Sequence, residues 1–364
     1  MSTVLAPDRI ITPHASARWI AVTDGRIEAL GTDEPPPGAE RVSGTMVPGF
    51  VDIHCHGGGG AAFESGDPEQ ARVAADCHRR HGTTTVIASL VSASTENMAR
   101  QITALVPLCR AGVIAGIHLE GPWLADRFRG AHDPTQLRDP SPGELETLVA
   151  AGEGYVRMVT LAPERPGAIA TIRECRANSV VAAIGHTDAT YEQTMAAIDA
   201  GATVATHLFN AMRRVHHRHP GPIPALTEDP RVTVELIADG VHMAPPLLHL
   251  AERAAAGRVA LVTDAMAAAG EPDGAYVLGG LAVEVIDGVA RLADGGAIAG
   301  STLTLDRAVR LFAEGAGLEV AVAAATATPA QALGLDAGEL VVGAPADLVL
   351  LDDDLSVARV WSSR

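Results

Sequence analysis

Val47-Pro48-Gly49-Phe50-Val51-Asp52-Ile53-His54-Cys55-His56 opens the regular part of this chain. An apolar, β-branched run that ends in polar side chains reads as a buried strand feeding a loop. Eight such runs occur, at residues 47–54, 83–89, 113–120, 155–162, 180–186, 203–210, 232–239 and 259–264. Between them lie stretches with polar starts and glycine exits that read as helices, among them 68–81, 95–111 and 190–200. Thr190 with Gln193 matches a capping box. Strands alternating with helices predict a parallel sheet, and eight of them favour a closed barrel over an open doubly wound sheet.

Outside the barrel, residues 1–45 alternate like short strands with turns, as in Ala21-Val22-Thr23-Asp24-Gly25-Arg26-Ile27, and the tail from residue 338 does the same. The two ends are expected to pair. The expected fold is therefore α/β: a (β/α)8 TIM-like barrel over 46–337 with a small β-sandwich domain built from both chain ends, 1–45 and 338–364. A glycine-rich, strand-like segment at 274–299 predicts a hairpin inserted before the last helices.

Composition removes several chemistries. All 27 basic residues are arginine, so Schiff-base catalysis, pyridoxal phosphate attachment, a Walker-type phosphate loop and a carboxylated-lysine metal bridge have no amine to use. A formal charge of −17 repels polyanions, arguing against nucleic acid or an anionic membrane as partner. No apolar stretch approaches the roughly 20 residues of a membrane span. Asp8 and Arg9 interrupt what would have to be a signal core. Four widely spaced cysteines (Cys55, Cys77, Cys109, Cys175) suggest reduced thiols, and a cytoplasmic location is the simplest expectation.

His54 and His56 share one face of the first strand because strand side chains alternate, while Cys55 points the other way. Alone, an H-x-H pair says little. Glu120, His186, His207 and Asp264, however, end four further strands, where a barrel gathers its active site. Imidazole and carboxylate donors suit zinc, iron or a similar divalent ion. His118 shares the Glu120 face one layer deeper and reads as a buried supporting histidine rather than a ligand. His14, His78, His81 and His249 carry no functional signal. Arg213-Arg214-Val215-His216-His217-Arg218-His219 is the most basic stretch of an acidic chain. It fits either a solvated face or an anion site at the barrel mouth.

These motifs resemble the N-acetylglucosamine-6-phosphate deacetylase family of the amidohydrolase superfamily. Carrying the resemblance are the opening stretch, His118-Leu119-Glu120-Gly121-Pro122, Gly130-Ala131-His132, Gly185-His186-Thr187-Asp188-Ala189, Thr206-His207-Leu208-Phe209-Asn210-Ala211-Met212, Asp239-Gly240-Val241-His242 and Val262-Thr263-Asp264-Ala265. The resemblance implies that Glu120, His186 and His207 hold the main metal, with His54 and His56 permitting a second ion. It implies that Asp264 is the catalytic acid/base, helped by His132. Ala131, His132, Asn210, Ala211, Arg218 and His242 would contact an amino sugar phosphate, and in a homodimer Arg218 would reach the neighbouring subunit's site. Another hydrolase of the superfamily, acting on adenine or acyl amino acids, and a non-catalytic sugar-phosphate binder are the competing readings.

Overall fold

The computed structural model describes residues 3–12, 17–294 and 296–362, so His14 lies outside the described residues. Eight parallel strands form one sheet in chain order: Phe50–Cys55, Thr83–Val91, Gly116–Glu120, Val156–Leu161, Val181–Ile184, Ala202–Ala205, Thr233–Ile237 and Val259–Val262. Its two edges meet where Cys55 bridges Ala265. The Asp264 N–H donates to the His54 carbonyl and the His56 N–H to the Ala265 carbonyl, both at 2.8 Å. The sheet thus closes into the expected barrel, and every residue of the first two strands is buried.

Local chemistry sets the helices around it. Asp67 caps the helix Pro68–Arg80 by accepting the Glu69 N–H, and Pro68 occupies the first turn, where its missing N–H costs nothing. Ala71, Ala74, Ala75 and His78 recur at helical spacing and form its buried stripe. Thr190 and Gln193 make the expected capping box ahead of Tyr191–Ala200.

The run read as one strand over 47–54 is two. Glu40–Pro48 belongs to a separate six-stranded sheet, and Phe50–Cys55 begins the barrel. Pro48 has no N–H for a ladder, and a Cβ at Gly49 would collide with the Thr84 side chain, so the chain changes sheet there. The smaller sheet has the order Val357–Trp361, Leu348–Leu351, Glu40–Pro48, Thr3–Ile10, Trp19–Thr23, Arg26–Gly31. It joins both chain ends through Leu348 opposite Pro48 and Val349 opposite Val47. Leu5, Ile20, Ile27, Met46 and Leu348 fill its core. The Asp24-Gly25 turn, with φ of 48° and 74°, has the left-handed conformation that a two-residue hairpin requires.

After the eighth strand the glycine-rich segment forms three antiparallel strands, Gly274–Leu278, Leu281–Ile286 and Val289–Leu292, one more than a hairpin. A second tight turn at Asp287-Gly288, with φ of 51° and 73°, accounts for the extra strand. Among the described residues no helix is long and apolar enough to cross a membrane.

His81, just past the first helix, meets Asp306 of the helix Leu305–Ala316 at 3.2 Å. Burial opposes ionisation of Asp306, yet His81 beside it holds the carboxyl below its ordinary range. A carboxyl depressed on folding contributes stability above its unfolded pKa of about 4, and that contribution fades as pH falls through the folded value. Asp306→Asn should cost about 1–2 kcal/mol near neutrality. Thermal melts of the two proteins should converge as pH drops below about 4. A gap that persists unchanged to acid would contradict this account.

Candidate metal centre

Glu120 is the last residue of the third strand, whereas His186, His207 and Asp264 each stand two residues beyond their strands, after Ile184, Ala205 and Val262. All three take positive φ, at 47°, 27° and 47°. For non-glycine residues such backbone costs roughly 1–3 kcal/mol each and persists only where surrounding structure enforces it. Gly185 supplies part of that enforcement. A Cβ there would lie 2.7 Å from Thr206 Cβ and 2.9 Å from Thr160 Cγ2, so only glycine lets the strands approach closely enough.

The side chains converge on Glu120. Its Oε1 lies 3.0 Å from His186 Nε2 and 3.1 Å from His207 Nε2, and those two nitrogens are 3.0 Å apart. Its Oε2 lies 3.2 Å from His56 Nε2 and 3.3 Å from His132 Nε2. His54 Nε2 is 3.2 Å from His56 Nε2, and Asp264 Oδ1 stands 3.5 Å and 3.3 Å from the same two nitrogens. All six are buried. The donors form two three-residue clusters, His54/His56/Glu120 and Glu120/His186/His207. Cys55 points away and meets His78 instead, at 3.2 Å.

Proton positions show that this set fits a cation. His186 Nδ1 faces the Phe128 carbonyl at 2.8 Å, so its proton sits on Nδ1 and a bare Nε2 lone pair faces Glu120. His54 Nδ1 faces the Glu235 carboxylate at 3.0 Å, which leaves its Nε2 lone pair directed at His56. Lone pairs and carboxylate oxygens at about 3 Å repel unless a positive charge lies among them. Without an ion the imidazoles themselves supply the positive charge: burial opposes it, yet the carboxylates of Asp264, Glu120 and Glu235 raise His54 well above its ordinary range, and Asp264 and Glu120 raise His56 to about 9. Burial works against ionisation of Glu120, but His54, His132, His186 and His207 hold its carboxyl well below the usual range. Asp264, likewise buried, is held low by His54 and His56. These residues make a divalent-metal centre.

His132 differs in polarity. Its Nδ1 accepts the Ser92 backbone N–H at 3.3 Å and lies 2.9 Å from Ser92 Oγ, so the proton is on Nε2, which faces the centre as a donor. His118 spends Nδ1 on Ser89 and Nε2 on Thr160, at 2.9 and 2.8 Å, as a supporting residue should. Asp52, below the centre, accepts the Thr263 hydroxyl at 2.5 Å and the His54 N–H at 3.2 Å. It thereby ties the residue before Asp264 to the first strand. Burial pushes the Asp52 carboxyl up to about 7 against these hydrogen bonds.

A cavity of about 500 Å³ opens over the centre. His56, Glu120, His132, His186, His207 and Asp264 form its floor; Ala131, Asn210, Ala211 and His242 also line it. His242 Nδ1 is fixed by Asp239 at 2.6 Å. Val91, Leu278, Leu292 and Ile298 give an apolar wall, partly from the three-stranded sheet. His54 lies wholly buried and does not line the cavity. Arg218 is exposed on its loop and does not line it either. Sequence reasoning missed Glu235, Ser92 and the rim arginines Arg127 and Arg129. Only Glu235 left a signal, as an acid inside the apolar run Val234-Glu235-Leu236-Ile237.

Comparison with known proteins agrees with this geometry. The Amidohydrolase family model matches residues 45–363. The N-acetylgalactosamine-6-phosphate deacetylase of Escherichia coli O157:H7 is 37% identical over 373 residues, covering 99% of this chain and 98% of its own. The N-acetylglucosamine-6-phosphate deacetylase of Vibrio furnissii is 36% identical over 324 residues, covering 87% and 81%. A solved structure of N-acetyl-D-glucosamine-6-phosphate deacetylase from Mycobacterium smegmatis, an aspartate-to-alanine mutant in complex with N-acetyl-D-glucosamine-6-phosphate, superposes with a TM-score of 0.98. It is 50% identical and covers 100% of this chain and 98% of that one. A barrel closed around buried imidazoles and carboxylates, matched along nearly its whole length, makes this chain a member of the amidohydrolase family.

Proposed function

We propose that the chain hydrolyses the acetamide of N-acetyl-D-glucosamine 6-phosphate, giving D-glucosamine 6-phosphate and acetate. One observation carries the reading. The cavity that exposes the metal-competent donors is lined by a carboxylate, Asp264, and by a ring N–H donor, His132, the two groups that amide hydrolysis needs besides the ion. Zinc or iron, one or two ions, would be held by His54, His56, Glu120, His186, His207 and Asp264. When bound, such an ion polarises the amide carbonyl and makes water acidic enough to attack near neutral pH.

The chain's own residues do the rest. Asp264 accepts the proton of the attacking water and returns it to the departing amine. His132 Nε2–H donates to the carbonyl oxygen as negative charge develops there. Ala131, Asn210, Ala211 and His242 orient the sugar. Arg218 binds the phosphate by charge-assisted hydrogen bonds. Its exposure outside its own cavity supports a homodimer in which it serves the neighbouring subunit's site. Four buried free thiols fit a cytoplasmic enzyme.

The name of the Escherichia coli relative favours a second reading, in which the epimeric N-acetylgalactosamine 6-phosphate is the substrate. Acetate release from the two sugar phosphates, assayed side by side, decides between them. If neither sugar phosphate yields acetate with metal-loaded protein, both readings are wrong.

Asp264→Asn should lower kcat by roughly 10²–10⁴-fold. Elemental analysis should still find bound metal in that variant; parallel loss of metal and activity would make Asp264 chiefly a ligand. Arg218→Ala should raise KM for the phosphorylated sugar by roughly 10–100-fold, while leaving the weak turnover of unphosphorylated N-acetylglucosamine unchanged. Equal effects on both substrates would remove Arg218 from phosphate binding.

A further inference from the structure

Glu235, on the seventh strand, is a wholly buried acid to which the hydrolysis scheme gives no task. A lone carboxylate in a barrel interior is costly unless hydrogen-bonded and opposite a positive charge. Its Oε2 accepts two hydrogen bonds, from His54 Nδ1 at 3.0 Å and from the His207 backbone N–H at 3.1 Å. Among the described residues no arginine pairs with it. Among the described residues its Oε1 has no hydrogen-bond partner.

The supports behind the other imidazoles of the centre differ. His186 Nδ1 donates to a neutral carbonyl, that of Phe128. The Nδ1 atoms of His56 and His207 have no hydrogen-bond partner among the described residues. Of the four imidazoles in the two clusters, His54 alone has a carboxylate behind it among the described residues. A carboxylate behind an imidazole fixes the ring's tautomer and orientation and makes its outer nitrogen a better donor. Here the outer nitrogen is Nε2, 3.2 Å from His56 Nε2 and 3.5 Å from both Glu120 Oε1 and Asp264 Oδ1.

We propose that Glu235 is a positioning residue for a second divalent ion, holding His54 with Nε2 unprotonated toward His56 and Glu120 while the neighbouring cluster of Glu120, His186 and His207 takes the first ion. The inference rests on the metal-dependent reading above and deepens it. Charge supports it as well as geometry. With Glu120 and Asp264 alone, two divalent ions leave two uncompensated positive charges in a buried site, and Glu235 removes one of them. Through the His207 amide the same oxygen also steadies a ligand of the first cluster, so one side chain couples the two halves.

Zinc binding to the whole protein, followed by chelator competition and elemental analysis without substrate, tests this. The wild type should take up two zinc ions per chain. Glu235→Gln keeps the shape and an acceptor oxygen but loses the charge. It should retain the first zinc and bind the second roughly 10–100-fold more weakly. Glu235→Asp should recover part of the loss. In a His54→Gln background, Glu235→Gln should change the second zinc affinity by less than about twofold, because the effect runs through His54. A wild type that saturates with one zinc, or a Glu235→Gln protein that binds the second zinc as tightly as wild type, overturns the proposal.

If Glu235→Gln does not fold, nitrogen-15 spectra of histidine-labelled wild type still decide. A protonated Nδ1 on His54 in the zinc-loaded chain supports the proposal, and a protonated Nε2 refutes it. None of these measurements uses a sugar. Failure to release acetate would sink the substrate assignment alone, whereas unchanged zinc binding in Glu235→Gln would sink only the role of Glu235.

Discussion

The structure depends on one buried carboxylate, Glu120, and on the need to balance its charge. Four imidazole nitrogens lie between 3.0 and 3.3 Å from its two oxygens, on residues 56, 132, 186 and 207. At least one of those nitrogens, on His186, carries a lone pair toward it. Such an arrangement is unfavourable in a protein interior unless a cation completes it. A closed barrel suits this demand because it brings strand ends that are distant in sequence to one level, and packs the layers below so firmly that the donors cannot move apart.

Backbone strain is concentrated where that convergence is made. His186, His207 and Asp264, with Phe209 and Ala211 nearby, all have positive φ. The surroundings over-determine each bend. The Asp264 N–H is bound to the His54 carbonyl, the His207 N–H to Glu235, and Thr263 to Asp52. Strain of a few kcal/mol is small beside the burial of eight apolar strands, so the barrel can sustain a shape that isolated loops could not.

This division explains what was legible in the chain. Features fixed by neighbours in sequence could be read directly: the shared face of His54 and His56, the Thr190 capping box, the Asp24-Gly25 turn and the eight strand cores. Features that depend on distant partners could not. The 47–54 run looked continuous because nothing in it reveals that Leu348–Leu351 pairs with its first half. Ser92 sets the tautomer of His132, and the Phe128 carbonyl that of His186, across contacts no local pattern encodes. His186, His207 and Asp264 were placed at strand ends because periodicity marks where apolar runs stop. It does not mark where the backbone turns left-handed. Glu235 was visible as an acid in an apolar strand, but its purpose appears only beside His54.

Charge distribution gives the remaining constraint. A protein of formal charge −17 repels a sugar phosphate at long range, yet beyond a Debye length of about 8 Å salt screens most of that field. What acts at short range is therefore the mouth of the cavity, which Arg127 and Arg129 line. Asp188 fastens this region, accepting from Arg213 Nε at 2.7 Å and pairing with Arg127 at 3.6 Å. Glu164 in turn holds the Asp188 N–H at 2.6 Å and the Thr187 hydroxyl at 2.5 Å, next to His186. The basic loop and the metal centre thus share one anchor on the fifth strand's loop. A displacement of that loop would move Arg213 and Arg127 together with His186, so the basic side chains at the mouth and the donors of the centre are mechanically linked.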